Sequence, residues 1–496
     1  MTDQTRLRVT IDARALDGAL MGTQIHVLEL VRALARTRAL RLRVLVRGER
    51  IDRATRASLD ELPGSEILAA EDVDDSTPRS DVFHRPQQTF SAGDVALAWR
   101  LGERFVLSQL DLIAYRSPAY FPDAGAWEDY RRASRHGMFA AERVVVFSEH
   151  TRHELLTDVL ADAERIRVVA PGLNHRSGEE PQMPPALDAR TPEGSAGDGS
   201  STEEEPGFLL CLGTDYEHKN RVFALRMLAA LREQHGWRGR LVLAGTHVAH
   251  GSSRELEREE LDARPELREA VIDLGSVAEA EKEWLMEHAG AVLYPSRYEG
   301  FGLVPFEAAL RGVPCSFAPQ SSLAEGAAGR AATIVPWDPV PSAAAAYALL
   351  SDPAARARHV QLLADAAHEL TWERAAAETV DVYREAVRAP VRDAATLSRD
   401  ALARERELAA AHRSVVQTLI GERELVLGDY DELLAEVGPG RSLVGPRGSL
   451  PEDLQRALLA LSAHPALSRP LYGLAASAFR AARALARAVH RPRRRG

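Results

Sequence analysis

The chain has 496 residues, of which 45% are hydrophobic and 27% charged, with a net charge of −10. That length exceeds what a single hydrophobic core serves, so at least two domains are expected. The acidic balance argues against nucleic acid as a partner, and two widely spaced cysteines, Cys211 and Cys315, do not make a disulfide framework.

Both cysteines fall in apolar runs and are expected as small buried residues, which fits a reducing, cytoplasmic setting. Residues 1–14 have no apolar signal-peptide core, and no stretch reaches the roughly 18 apolar residues of a membrane span. Along the chain, apolar runs at 7–11, 42–46, 81–84, 104–107, 143–147 and 166–170 read as strands. Amphipathic helical patterns at 25–35, 127–141 and 149–160 lie between them. Such alternation predicts a parallel sheet with helices on both faces, here a first domain over 1–174. Residues 175–206 are rich in Pro, Gly, Ser and Glu and contain no aromatic residue, so they are expected to form a disordered linker.

A second alternation predicts strands at 208–212, 240–244, 271–274, 289–294, 314–317 and 332–335, with three helices after 341. The expected fold class is therefore α/β, with two Rossmann-like doubly wound domains facing a cleft: 1–174, and 207–370 followed by a returning helix at 371–388. Ligands of such sheets bind outside the carboxyl ends of the strands. Residues 389–496 read as a helical extension. Its last part places Leu471, Leu474, Ala478, Ala482, Leu485 and Val489 on one face and Arg480, Arg483, Arg487 and Arg491 on the other. From Pro470 onward there are seven arginines and no acidic residue, so an anionic membrane surface is the expected partner of 470–495. A last helix packed on the protein, ending in a solvated basic tail, fits the same pattern.

The most informative stretch is Tyr294-Pro-Ser-Arg-Tyr-Glu-Gly-Phe-Gly-Leu-Val-Pro-Phe-Glu307. It joins a strand to a helix whose first turn tolerates Pro305, because that position has no intrahelical use for an N–H. The amides around Phe301 to Val304 and the positive helix end suit a phosphate. Glu299 and Glu307 bracket this turn, and carboxylates beside a phosphate cradle suit a ligand with phosphates and hydroxyls, as in a nucleotide sugar. A plain strand–turn–helix unit with a capping glutamate would share the bare spacing.

With its Pro-Ser lead-in and Glu-Gly-Phe-Gly-Leu core, this stretch resembles the signature of the family 4 glycosyltransferases of GT-B fold. The resemblance extends to Phe208-Leu-Leu-Cys-Leu-Gly-Thr214, Glu217-His-Lys-Asn220, Gly312-Val-Pro-Cys315, Ser321-Ser-Leu-Ala-Glu325 and Thr371-Trp-Glu373. It implies a retaining, metal-independent hexosyltransferase with a nucleotide-diphosphate sugar as donor and no cofactor. The implied catalytic residues are Lys219, Glu299 and Asp111. Glu307, Gly300, Phe301, Gly302, Leu303, Val304, Gly22, Thr214 and His218 are the implied donor-binding residues. Gly22-Thr-Gln-Ile-His26 looks like the family's loop under the donor phosphates. Where the family often carries a second cation near the lysine, this chain has Gly213, Thr214 and His218, leaving His218 or Arg297 as substitutes. Asp111 follows Leu110 where the family has a histidine. Asp72-Val-Asp74 nominally matches the metal motif of the other glycosyltransferase fold, but it sits in an acidic run that reads as a solvated loop.

The implied acceptor is a cell-envelope or exopolysaccharide glycan on a lipid carrier, reached from the inner face of the membrane. The alternatives are a sugar-phosphate or sucrose-type synthase with a small soluble acceptor, and a catalytically silent relative serving as a scaffold.

Overall fold

The computed structural model describes residues 6–17, 22–174, 180–188 and 207–390. All of them belong to a compact unit running from Met1 to Leu408, and the second unit, Ala409–Gly496, lies outside the described residues. The basic amphipathic stretch at 470–495 is therefore not described.

Two parallel sheets organise the chain. The first has seven strands in the order β3-β2-β1-β4-β5-β6-β7. These are β1 Leu7–Asp12, β2 Leu40–Val46, β3 Ser65–Ala69, β4 Ser80–Arg85, β5 Gly102–Ser108, β6 Arg143–Val146 and β7 Ile166–Val168. The second has five strands in the order β10-β9-β8-β11-β12. These are β8 Phe208–Leu212, β9 Arg240–Ala244, β10 Val271–Gly275, β11 Ala291–Tyr294 and β12 Cys315–Phe317. Strands such as Val144-Val-Val146 and Leu209-Leu-Cys-Leu212 are buried along their length, because helices cover both faces of each sheet. Cys211 and Cys315 are buried and free.

In both sheets the strand order reverses once, between β1 and β4 and between β8 and β11. Such switch points open a crevice at the carboxyl ends of the strands. The helix Trp372–Arg388 packs on the first sheet: its Trp372, Val380 and Tyr383 join the core built around β1, β2 and the helix Gly22–Thr37. Tyr383 Oη lies 2.7 Å from His84 Nδ1 on β4. Its entry is tight, since a Cβ on Gly172 would fall 2.4 Å from the Trp372 nitrogen.

Three details differ from the sequence reading. β3 was not anticipated; it is a five-residue edge strand with no fully buried position, so its hydrophobic signal is weak. Residues 332–335 do not form a strand, because the Thr333 and Ile334 amides both donate to the single carbonyl of Phe317, at 3.1 and 2.9 Å, instead of running along a ladder. Within the linker expected to be disordered, residues 180–188 are packed. Gln182 N donates to Ala280 O at 3.0 Å, and the short helix Pro185–Asp188 buries Leu187 in the core of the second sheet.

Candidate functional site

The loops leaving β8 and β11 flank the second switch point, and each supplies a charged side chain to a shared contact. After β8, Gly213 takes a left-handed φ of 128° and the chain enters a 3-10 turn, Glu217–Lys219. Asn220 follows with φ 55°, a conformation asparagine tolerates better than most residues, and caps the helix Arg221–His235. This Lys-Asn turn aims Lys219 back over Gly213, where a Cβ would lie in ordinary contact with the lysine stem at 3.7 Å, so it is the positive φ that calls for glycine.

After β11, Glu299 meets that lysine: Nζ donates to Glu299 Oε1 at 2.7 Å and to the Tyr294 hydroxyl at 3.1 Å. The Glu299 backbone is fixed from a third loop. Its N–H donates to Ser321 Oγ at 2.8 Å, and its carbonyl accepts from Ser322 Oγ at 3.0 Å. Burial alone would raise the Glu299 carboxyl, but the Lys219 ammonium outweighs it and holds the group below the ordinary glutamate range.

Asp111 comes from the other half, in the loop after β5. Its Oδ1 accepts from Ile113 N at 2.8 Å and so starts the short helix Ile113–Arg116. Burial, with the Glu299 charge adding to it, pushes its carboxyl up to about 6, although the Ile113 amide and Lys219 act the other way. The halves touch at Gly300, where a Cβ would stand 2.3 Å from the Leu110 carbonyl oxygen. Only glycine fits that approach. Two carboxylates pushed in opposite directions around one ammonium is an arrangement typical of reactive sites.

The remaining expected residues are placed as follows. Gly302 has φ 84°, and a side chain there would collide with Leu323 at 2.6 Å. The amides of Gly302 and Leu303 make no backbone hydrogen bond among the described residues, just ahead of the helix Val304–Leu310. Phe301, Leu303 and Val304 pack partly buried against the second core. Glu307 sits in the first turn of that helix and makes no side-chain hydrogen bond or ion pair among the described residues. Burial disfavours the Lys282 ammonium, but the charges of Glu307 and Glu279 outweigh it and raise its pKa. Thr214 is half-buried in the β8 loop. Gly22 opens the helix Gly22–Thr37, where a Cβ would meet nothing within 4 Å, so its surroundings give no steric reason for a glycine; the preceding residues 18–21 are outside the described set.

The surroundings of His218 favour its neutral form. Its Nδ1 lies 2.7 Å from the Tyr120 hydroxyl of the other half, and burial, reinforced by the Lys219 charge, pushes its pKa down to about 4. Arg297 donates to Asn220 Oδ1 at 3.1 Å and lies 5.8 Å from the centre of the Trp337 ring. Sequence reading missed Arg221, which is fully buried and directs its guanidinium back to the carbonyls of Gly213 and Gly245. A cation thus lies beneath the turn that carries Lys219; an arginine directly after Lys-Asn was the available signal. Asp72 lies in a 3-10 turn, and Asp74 accepts from Ser76 and Thr77. Among the described residues, no group of three or more His, Cys, Asp or Glu side chains is placed to hold a metal, and no helix is long and apolar enough to cross a membrane.

Two doubly wound halves with a polar site between their facing edges define the GT-B class. Solved structures share this fold: sucrose-phosphate synthase from Thermosynechococcus elongatus aligns with a TM-score of 0.52 at 18% identity, covering 77% of this chain and 99% of that one. HepE of Anabaena, solved in complex with UDP-glucose, aligns with a TM-score of 0.53 at 17% identity, covering 76% and 100%. Residues 147–379, a little under half of the chain, match the family described as "Family 4 Glycosyltransferase in conflict systems", and over this stretch the chain is similar to the family 4 glycosyltransferases. A D-inositol 3-phosphate glycosyltransferase from Kineococcus radiotolerans is 28% identical over 261 residues, an alignment that takes in 50% of this chain and spans only 58% of that relative's length.

Proposed function

We propose that the chain is a retaining glycosyltransferase that moves a sugar from a nucleotide-diphosphate donor to an acceptor hydroxyl without a metal. The observation that carries this reading is the convergence of Lys219, Glu299 and Asp111 from three loops at the facing sheet edges. In this reading the diphosphate lies against Lys219 and the Gly302 and Leu303 amides, near Thr214 and His218, while Glu307 takes the ribose hydroxyls. Glu299 holds sugar hydroxyls close to the reacting carbon. As the bond to the β-phosphate oxygen breaks, negative charge grows on the leaving diphosphate. Lys219, with Arg221 buried beneath the same turn, stabilises that charge in a site screened from water. Asp111 stands on the acceptor side, where a carboxylate with a raised pKa is suited to receive the hydroxyl proton.

Mass spectrometry of reactions with UDP-, GDP- and ADP-glucose tests this. One donor should be turned over equally well in excess EDTA, and loss of turnover on chelation, restored by Mn²⁺, would overturn the metal-free reading. For the acceptor, a lipid-linked glycan at the inner membrane face is the reading we favour, from the basic amphipathic pattern of 470–495. Partitioning onto anionic vesicles at low salt should be lost in a chain ending near Ser468, and equal partitioning would remove that reading. A small phosphorylated acceptor is the second possibility, suggested by the inositol-phosphate relative and the sucrose-phosphate synthase fold.

A further inference from the structure

Glu154 is 1% exposed on the helix Glu149–Thr157 of the first half. A carboxylate that deep needs partners to remain charged. They arrive from three sides. The Arg116 guanidinium reaches Glu154 and also holds Asp158 at 2.6 Å. Arg116 closes the short helix that Asp111 opens through Ile113. His150, one turn earlier, puts Nε2 3.2 Å from Glu154 Oε1. The third partner crosses the cleft: the Tyr298 hydroxyl donates to Glu154 Oε2 from the residue immediately before Glu299. Burial opposes ionisation of Glu154, yet His150 and Arg116 hold its carboxyl below the ordinary range. The same helix crosses a second time, where His150 N donates to Glu325 Oε1 at 2.5 Å, directly after the turn whose serines hold the Glu299 backbone.

We propose that Glu154 is a positioning residue that sets the separation of the two site carboxylates, through Arg116 toward Asp111 and through Tyr298 toward Glu299. This rests on the glycosyltransferase reading above. Neither Glu154 nor Tyr298 need touch substrate. Their bond fixes how far an acceptor hydroxyl held near Asp111 stands from the donor carbon held near Glu299. Rate responds steeply to such spacing, a displacement of about 1 Å being able to cost on the order of a hundredfold. Binding of the nucleotide, by contrast, rests mainly on groups of the second half.

The test is a double-mutant cycle in the full chain: Glu154→Ala, Tyr298→Phe and both, with Glu154→Gln as the conservative variant. The probes are whichever of UDP-, GDP- and ADP-glucose the wild type turns over, and the matching nucleoside diphosphate for calorimetry. Tyr298→Phe removes one oxygen and should fold normally. Each single variant should lower kcat about tenfold or more, with donor KM and diphosphate affinity changed less than about twofold. The double variant should be no slower than the slower single, since both remove the same bond, and Glu154→Gln should recover part of the rate. Multiplicative losses, an unchanged kcat, or an equal fall in diphosphate affinity would overturn the proposal. Amide hydrogen exchange gives a readout independent of activity. Tyr298→Phe should speed exchange in residues 149–154 and 296–304 together, and a change confined to one segment counts against the link. A wild-type chain that turns over no nucleotide sugar removes the functional reading, and the positioning role with it, even if the exchange result holds.

Discussion

Replacing Asp111 with asparagine should stabilise the fold at neutral pH while impairing transfer. The carboxyl titrates at about 6 instead of 3.8, through burial first and the nearby Glu299 charge second. A raised folded-state pKa means that the folded chain holds its proton more tightly than the unfolded chain does. Stability from this group is therefore complete below about pH 4 and is lost as pH rises through about 6. The two-unit gap corresponds to about 3 kcal/mol, which screening at a half-buried site reduces to about 1–2 kcal/mol. Asparagine has nearly the same shape, keeps an oxygen for the Ile113 amide and cannot ionise. Urea unfolding midpoints of the wild type and Asp111→Asn at about pH 4.5 and pH 8 would measure the effect. The variant should gain on the wild type by about 1 kcal/mol between the two pH values, and its transfer rate should fall at both. A gap that is independent of pH, or a wild type that gains on the variant as pH rises, would refute the account of Asp111.

Gly300→Ala should cost kcal-scale stability or force the halves apart, since its methyl would sit 2.3 Å from the Leu110 oxygen; hydrogen exchange at residues 108–113 should rise, and an unchanged profile would show that the contact is loose. Glu307→Gln should lower the unfolding midpoint only modestly, because it removes the charge that favours the Lys282 ammonium but no hydrogen-bonded ion pair among the described residues, while donor affinity falls by about 1.5–3 kcal/mol in calorimetry.

Much of this was legible in the sequence because apolar β/α alternation and turn chemistry are local. The Glu299 turn and the Lys-Asn junction both follow from residues adjacent in the chain. What escaped depends on distant neighbours. Gly300 is glycine because of Leu110, nearly two hundred positions earlier, and nothing in its own surroundings indicates that contact. His218 looks like a spare cation until burial and the neighbouring Lys219 charge push its pKa down. The paired serines after β12 stand out in the sequence only as part of the family resemblance, and it is the fold that brings them to the backbone of Glu299. The apolar run at 332–335 has strand composition but no ladder to join, whereas 180–188 has linker composition with one leucine that finds a core.

The central claim is that Lys219 and its neighbours bind the diphosphate of a nucleotide sugar. Thermal unfolding of the wild type and Lys219→Ala with UDP-, GDP- and ADP-glucose tests it most directly, because a ligand bound by the folded state raises the midpoint by mass action. The account predicts that one donor raises the wild-type midpoint and that the shift, taken from each protein's own unliganded midpoint, is largely lost in Lys219→Ala, whose unliganded midpoint is lower because buried Glu299 loses its partner. An equal shift in both proteins, or no shift with any donor, would contradict it.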